Sequence, residues 1–240
     1  MEFRSLRWVW LAPLLVAGAA RADSLPLPAS LVDFNSPEGE RYLIEARANA
    51  DYFPLASQFV TQKTQAYCGV ASLTMVLNAL GVRAPSTPEY EPYKFFTQDN
   101  VLDAETDAIL SREVIARRGT TLDQLGALVA YHGVNGEVHH AGDETLEDFR
   151  ASARKALSTR DHYVIVNYLR KALGQQIGGH ISPLAAYDEK QDRFLILDVA
   201  RYKYPPVWVS AADLYAAMNT PDAVNGGKTR GYVLVSKRPP

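Results

Sequence analysis

The chain has 240 residues, of which 47% are hydrophobic and 22% are charged. These fractions are typical of a globular protein and exclude intrinsic disorder, collagen and coiled-coil arrays. A formal net charge of −2 gives no general affinity for nucleic acid or for an anionic membrane. The single cysteine excludes an internal disulfide framework, a zinc finger and a Cys-x-x-Cys redox motif.

The first 22 residues are predicted to be an export signal. Arg4 and Arg7 precede an apolar run, and Ala20 and Ala22 supply the small residues that a signal peptidase reads. The run is shorter than the roughly 20 residues that a membrane span needs. We therefore expect cleavage after Ala22 and a single catalytic domain over 23–240, located in a bacterial periplasm or secreted. An uncleaved anchoring helix is the alternative.

Helical patterns fill the first half of the mature chain. An apolar stretch predicts a helix over 68–80, and residues 84–104 are predicted to be a long irregular loop. Thr121 and Gln124 have the spacing of a capping box, and Gly119 is a suitable end for the preceding helix. Further helices are predicted over 38–50, 105–118, 121–132 and 143–158.

Strand patterns dominate the second half. Their segregation from the helices predicts an α+β fold with an antiparallel sheet rather than alternating βαβ units. Ser210 and Asp213 have capping-box spacing at the start of one short helix over 211–218. Strands are predicted over 162–169, 180–187, 193–200, 206–209 and 232–236.

The lone cysteine, Cys68, opens the apolar helix. Unpaired backbone N–H groups and the positive end of the helix dipole stabilise a thiolate at such a position, and the thiolate is the nucleophilic form. Gly69 would allow a substrate or another backbone to come close. The competing interpretation is a small buried hydrophobic residue, which is the usual role of a lone cysteine.

A histidine and a carboxylate are predicted to meet in the second half. His180 begins one apolar strand and Asp198 lies in the next, and a polar turn near residue 190 would fold the two into a hairpin. Asp198 could then hold the imidazole tautomer and stabilise the imidazolium. His180 is preferred on this ground to the other four histidines, which are His132, His139, His140 and His162.

An acyl-transfer site also needs donors for a developing oxyanion. Gln62 lies six residues before Cys68, and its side-chain amide could point at the same oxygen as the Cys68 N–H. Gln58 and Gln65 compete for this role. Together the residues predict a nucleophilic triad in the chain order Cys68, His180, Asp198.

Two segments resemble a known family. Gln62 followed by Cys68-Gly69 at a helix start resembles papain-like (clan CA) cysteine enzymes in general. More specifically, TQAYCGVASLTMVLNALGV and GGHISPLAAYDEKQDRFLILDVARYKYPPVWV resemble phytochelatin synthases, particularly the short bacterial forms, from about residue 33 to about residue 236. The resemblance implies a papain-like fold with a helical N-terminal half.

The resemblance also implies an activity. In the family the thiol attacks the Cys–Gly bond of glutathione, glycine leaves, and the γ-glutamylcysteinyl thioester is transferred to a second glutathione or to water. By position, Cys68 is the nucleophile, His180 the base and then acid, Asp198 its orienting group, and Gln62 the oxyanion donor. We expect hydrolysis to γ-glutamylcysteine to be the main reaction, as in short bacterial members.

Substrate and metal roles follow from the same resemblance. Asp222 and Arg230 match the acidic and basic residues that recognise the γ-glutamyl group, with Arg170 as a further candidate. Plant and yeast members carry an additional cysteine-rich region, whereas this sequence has one cysteine. We therefore expect no cofactor and no protein metal site, and cadmium would act as a glutathione thiolate complex. The resemblance also suggests a homodimer.

Two alternatives remain open on the sequence. One is a peptidase that resembles the bacteriocin-processing cysteine proteases, which also combine a glutamine, a Cys-Gly helix start, a histidine and an aspartate. The other is an inactive papain-like module that binds γ-glutamyl peptides or metal–thiol complexes in the periplasm. Fast alkylation of Cys68 at pH 6 would separate an activated thiol from a structural one.

Overall fold

The computed structural model describes residues 24–238, so the predicted export signal lies outside the described residues. No helix within 24–238 is long and apolar enough to cross a membrane. The α-helices of this range are α1 (Pro37–Glu45), α2 (Tyr52–Ala56), α3 (Cys68–Ala79), α4 (Arg112–Arg118), α5 (Leu122–Tyr131), α6 (Leu146–Leu157) and α7 (Ala211–Met218).

The strands form one seven-stranded sheet in which every neighbouring pair is antiparallel. Its order is β1-β6-β5-β4-β3-β7-β2, so the last strand lies between β3 and β2. The α+β class with an antiparallel sheet is therefore confirmed. The strands are β1 (Val32–Asp33), β2 (Asn135–His140), β3 (His162–Leu169), β4 (Gly179–Asp188), β5 (Arg193–Ile196), β6 (Val207–Ser210) and β7 (Gly231–Ser236).

Helices cover both faces of the sheet and make two hydrophobic cores. Helix α3 packs on one face against Ile165 and Ile181, whereas α6 and α7 pack on the other against Val164 and Val166. Alternate residues of β3 therefore enter opposite cores, which explains its almost continuously apolar sequence. Helix α3 and strand β4 are direct neighbours, so residues at their ends can meet.

Two predicted helices are shorter than their patterns indicated. Helix α1 ends at Glu45 rather than residue 50, because Ala46 already has an extended backbone. Helix α4 begins at Arg112 rather than residue 105, because the Ser111 hydroxyl accepts from the Val114 N–H and caps it there. The Thr121–Gln124 capping box is confirmed at the start of α5.

One strand boundary was also wrong in a way that matters for the site. Strand β5 ends at Ile196, so Asp198 lies in the irregular segment that follows. The Leu197 N–H still donates to the Pro183 oxygen, but proline has no N–H to return a bond. The Val199 N–H then donates to the Ser182 hydroxyl, which turns the chain away from the ladder.

Candidate active site

Cys68 is the first residue of α3, as the sequence predicted. No acidic side chain lies in the first turn of this helix, so nothing there offsets its positive end. The Cys68 side chain is buried but lines a cleft of about 310 Å³ between α3, the α4–α5 junction and the start of β4. The thiol is therefore shielded from bulk water and still open to a small molecule.

His180 acts directly on the thiol. Burial alone raises the pKa of Cys68, but a hydrogen bond to His180, the His180 charge, the Ile181 backbone N–H and the Arg170 charge together lower it below its usual value. The pKa of His180 shifts in the opposite direction. Burial lowers it, whereas the Asp198 charge and hydrogen bonds to Asp198 and Cys68 bring it above its ordinary value. Both shifts favour a thiolate–imidazolium pair.

Asp198 lies behind the imidazole. Its Oδ1 is 2.8 Å from His180 Nε2, and the Ser182 hydroxyl is 2.9 Å from the same nitrogen. Burial opposes ionisation of Asp198, but the His180 and Arg170 charges and the Ala200 N–H lower its pKa to about 2. The carboxylate is therefore ionised at neutral pH and fixes the Nε2–H tautomer of His180.

Arg170 also binds Asp198. Its Nη2 donates to Asp198 Oδ1 at 2.9 Å and lies 2.8 Å from Oδ2, while Nη1 donates to Gln175 at 2.7 Å. The guanidinium carbon lies 5.2 Å from the centre of the Tyr204 ring. Arg170 is only 3% exposed and does not line the cleft. This placement differs from the substrate-binding role expected for it, because both of its terminal nitrogens already donate to protein acceptors.

Asp222 and Arg230 line the cleft together with Cys68. Asp222 Oδ1 lies 3.6 Å from Arg230 Nη2, and Arg230 Nη1 donates to the Pro221 oxygen at 2.6 Å. Arg230 Nε is buried and has no partner within residues 24–238. Gly179 leaves room for this group, because a Cβ there would lie 3.3 Å from Arg230 Nε. The cleft thus contains a carboxylate and a guanidinium with an unused donor.

Gln62 is buried, and its side chain is already bonded. The backbone N–H donates to the Val199 oxygen, which ties Gln62 to the segment after Asp198. The side-chain Nε2 donates to the Thr64 oxygen at 2.7 Å and to the Tyr202 hydroxyl at 2.9 Å. Of the competing glutamines, Gln65 is an exposed residue on the rim of the cleft, and the side chain of Gln58 donates to its neighbour Ser57.

Gly69 does not line the cleft. A Cβ at Gly69 would lie 2.8 Å from the Thr120 Cβ, so glycine is needed here for α3 to pack against the α4–α5 junction. The absence of a side chain therefore serves packing at this position, in place of the substrate approach that the sequence suggested. Thr120, which lines the cleft beside it, was not singled out by any motif.

The remaining histidines bond elsewhere. His132 Nε2 lies 3.0 Å from the Val101 oxygen, His140 contacts Asp123, His139 contacts Glu144, and the exposed His162 faces the Arg160 oxygen. Within residues 24–238 no three His, Cys, Asp or Glu side chains are grouped as metal ligands would be. His180 is thus the histidine that contacts the thiol in the described part of the chain.

A thiol, an imidazole and a carboxylate joined in this order are the arrangement used by enzymes with a cysteine nucleophile. Comparison with known proteins identifies the family. The phytochelatin synthase family model matches residues 22–232. The chain belongs to the phytochelatin synthase family.

Three curated relatives illustrate the similarity. Glutathione gamma-glutamylcysteinyltransferase 3 of Lotus japonicus is 38% identical over 216 residues, covering 89% of this chain and 43% of the relative. Glutathione gamma-glutamylcysteinyltransferase 1 of Arabidopsis thaliana is 36% identical over 217 residues, with coverages of 89% and 43%. The Schizosaccharomyces pombe enzyme of that name is 33% identical over 213 residues, with coverages of 87% and 50%. The chain thus spans half or less of these relatives' length.

The ionisation of the thiol leads to a first prediction. We expect iodoacetamide to alkylate Cys68 at pH 6 at a rate that a buried structural thiol would not reach, because the pKa of Cys68 lies below its usual value. In His180→Gln the hydrogen bond and charge that lower the pKa of Cys68 are lost, and burial raises this pKa. Alkylation at pH 6 should therefore slow at least about tenfold. Mass spectrometry over time gives both rates. Equal alkylation rates in the wild type and the variant would contradict a thiolate–imidazolium pair between Cys68 and His180.

Proposed function

We propose that the protein cleaves the Cys–Gly bond of glutathione through a γ-glutamylcysteinyl thioester on Cys68. The observation that carries the proposal is the line of Cys68, His180 and Asp198 beside a cleft that also holds Asp222 and Arg230. Membership of the phytochelatin synthase family favours this function over the bacteriocin-processing peptidase and over a pure binding protein. It also supports a papain-like relationship for the fold.

The chemistry follows from the two pKa shifts. The Cys68 thiolate attacks the carbonyl carbon of the Cys–Gly bond, and the carbonyl electron pair moves to oxygen. The imidazolium of His180 then gives its proton to the glycine nitrogen, so that glycine leaves as a neutral amine. Asp198 stabilises the imidazolium before this transfer and keeps the ring oriented after it. The Cys68 backbone N–H and the Gln62 amide are the proposed oxyanion donors.

The thioester has two fates. Neutral His180 can take a proton from water, giving γ-glutamylcysteine, or from the amine of a second glutathione, giving a phytochelatin. We propose hydrolysis as the main reaction. We also propose that metal enters as a glutathione thiolate complex. A single domain over 23–240, export to a periplasm and a homodimer remain parts of the proposal.

The γ-glutamyl end of glutathione carries an ammonium and a carboxylate. Asp222 complements the ammonium, and the unused Arg230 Nε with its guanidinium complements the carboxylate. Both side chains are held by the same short loop, which returns from α7 to β7. In this proposal the loop between α7 and β7 recognises the substrate, and the bond is cleaved at the N-terminus of α3.

Glutathione incubated with the mature protein, with and without cadmium, tests the proposal. Mass spectrometry should detect one glycine for each γ-glutamylcysteinyl unit transferred to water or to an acceptor. Cys68→Ser should lose at least about 10³-fold of this activity because its hydroxyl is not ionised. The share of longer γ-Glu-Cys repeats gives the ratio of transfer to hydrolysis. Absence of glycine release under every condition would exclude glutathione as the substrate.

The proposed recognition of the γ-glutamyl group by Asp222 and Arg230 gives a separate prediction. Arg230→Gln should raise KM for glutathione by about 10- to 100-fold, with a smaller effect on kcat, because a charge-assisted hydrogen bond to the bound carboxylate is lost. Lys228→Gln is the matched control: it removes a nearby cation that pairs with Asp123 and does not line the cleft. Steady-state kinetics over glutathione concentration measure both. Equal KM values for the two variants would remove Arg230 from substrate recognition.

A further inference from the structure

The amide of Gln62 has no hydrogen left for an oxyanion. A primary amide carries two N–H hydrogens. Nε2 of Gln62 donates one to the Thr64 oxygen at 2.7 Å and the other to the Tyr202 hydroxyl at 2.9 Å. Because a backbone carbonyl only accepts, the Thr64 contact also fixes which end of the amide is nitrogen. One of these two bonds must open before Gln62 can donate to a substrate.

The oxygen of the same amide lacks a hydrogen-bond donor in the described part of the chain. Gln62 Oε1 is buried and has no hydrogen-bond partner within residues 24–238. A buried acceptor without a donor is uncommon and unfavourable in folded proteins. In this orientation Nε2 of Gln62 makes two hydrogen bonds while Oε1 makes none with the described residues. A different orientation of the amide can therefore compete with this one.

The bond to Tyr202 is the weaker constraint of the two. Thr64 lies two residues from Gln62 in the same loop, so its carbonyl moves with the amide. Tyr202 lies in the turn after Asp198, and its side chain is 46% exposed. Burial raises the pKa of Tyr202, the hydrogen bond from Gln62 and the Arg170 charge lower it, and the charges of Cys68 and Asp198 raise it. The Tyr202 hydroxyl is therefore within electrostatic reach of the nucleophile.

We propose that Tyr202 is a latch on the oxyanion donor: its hydroxyl holds the second N–H of Gln62 in the free protein and releases it when an oxyanion forms at Cys68. The inference rests on the proposed function, which makes Gln62 an oxyanion donor. In the free protein the Gln62 amide is not available to an oxyanion. Each acylation must exchange the Gln62–Tyr202 bond for a bond to the oxyanion, which slows the step.

Two reagents that differ in oxyanion formation can test the latch. With p-nitrophenyl acetate, the thiolate attacks the ester carbonyl, a tetrahedral oxyanion forms, and its collapse expels p-nitrophenolate and leaves an acetyl thioester. With iodoacetamide, the thiolate displaces iodide directly and no oxyanion forms. Cys68 is the only cysteine, so both reagents report on one thiol. Neither requires recognition of glutathione.

Removal of the Tyr202 hydroxyl should affect only the first reaction. In Tyr202→Phe the p-nitrophenolate burst should accelerate about two- to tenfold, as expected for one neutral hydrogen bond, with iodoacetamide alkylation unchanged. In a Gln62→Ala background the same substitution should have no effect on either rate. Tyr131→Phe is the matched control, since it removes an exposed tyrosine hydroxyl that bonds Asp103 away from the cleft.

Several outcomes of these measurements would contradict the Tyr202 latch. A Tyr202→Phe burst that is unchanged or slower than that of the wild type would overturn the latch, as would an acceleration that persists without the Gln62 amide. A parallel change in iodoacetamide alkylation would assign the effect to thiol ionisation instead. If the ester results hold but glutathione releases no glycine, the proposed substrate is wrong and the latch still stands.

Discussion

Replacing Asp198 by asparagine is expected to lower kcat/KM for glycine release by about 10³- to 10⁴-fold. Asp198 Oδ1 lies 2.8 Å from His180 Nε2 and is wholly buried, so its charge acts on the imidazolium with little screening by water. An asparagine keeps the shape and loses the charge. It also offers an N–H that can face Nε2 and favour the wrong tautomer. Most of the loss should appear in kcat, because Asp198 does not line the cleft.

A second buried carboxylate, at the end of β4 in the β4–β5 hairpin, provides the control. Asp188 is 1% exposed, and its Oδ1 accepts from the Lys190 and Gln191 backbone N–H groups in the β4–β5 turn. Asp188→Asn keeps an oxygen acceptor for both bonds and should retain activity within a fewfold of wild type. If Asp198→Asn were equally mild while its circular dichroism spectrum was native, the carboxylate would have no part in orienting His180.

The position of Cys68 at the start of α3 could be predicted because it is encoded locally. A cysteine that opens an apolar helix, with a polar stretch before it, defines both the element and the exposure of the thiol to the helix dipole. Strand β3 was also predicted with its observed bounds, since a strand buried on both faces has a continuous apolar sequence. These features depend little on distant parts of the chain.

His180 and Asp198 do meet, as the predicted hairpin required, although the predicted end of strand β5 was wrong. Folding about residue 190 requires only the approximate turn position, and the observed turn does lie between Asp188 and Arg193. The exact end of β5 depended on Pro183 in the partner strand and on the Ser182 hydroxyl, which the pattern of β5 itself does not contain. The pair was therefore predictable, and its backbone setting was not.

Other features depend on tertiary contacts that leave no local pattern. Strand β2 is half exposed along its length and carries two adjacent histidines, so it lacks the alternation that marks a strand. The latch between Gln62 and Tyr202 joins residues 140 positions apart. Arg170 follows β3 as an ordinary basic residue in sequence, and only the folded chain places it against Asp198. A buried arginine cannot be told from an exposed one by composition.

Replacing Arg170 by methionine is expected to lower the free energy of unfolding by about 3–5 kcal/mol, because removal of one partner leaves a buried charge uncompensated. For a chain of this size, that corresponds to a fall in Tm of roughly 6–20 °C. Asp198 would retain only His180 as a charged partner, since Arg170 is the other cation that lowers its pKa. Thermal unfolding followed by circular dichroism at pH 7 measures the effect.

The pH dependence separates loss of the charge pair from loss of packing. The pKa of Asp198 is lowered to about 2 in the folded protein, so its contribution to stability is present above its ordinary value near 4 and is lost as the pH falls towards 2. Without Arg170 the pKa of Asp198 should rise, and its protonation should relieve the buried charge at a higher pH. The stability difference between wild type and variant should therefore narrow as the pH is lowered from 7 to 3.

Arg201→Met is the matched control for Arg170→Met. Arg201 is an exposed arginine three residues after Asp198, and its guanidinium carbon lies 4.7 Å from the centre of the Phe59 ring. Its loss should cost no more than about 1 kcal/mol, with little dependence on pH. If Arg170→Met behaved in the same way and instead raised KM for glutathione, the guanidinium would belong to substrate recognition, and Asp198 would depend on His180 alone for its charge balance.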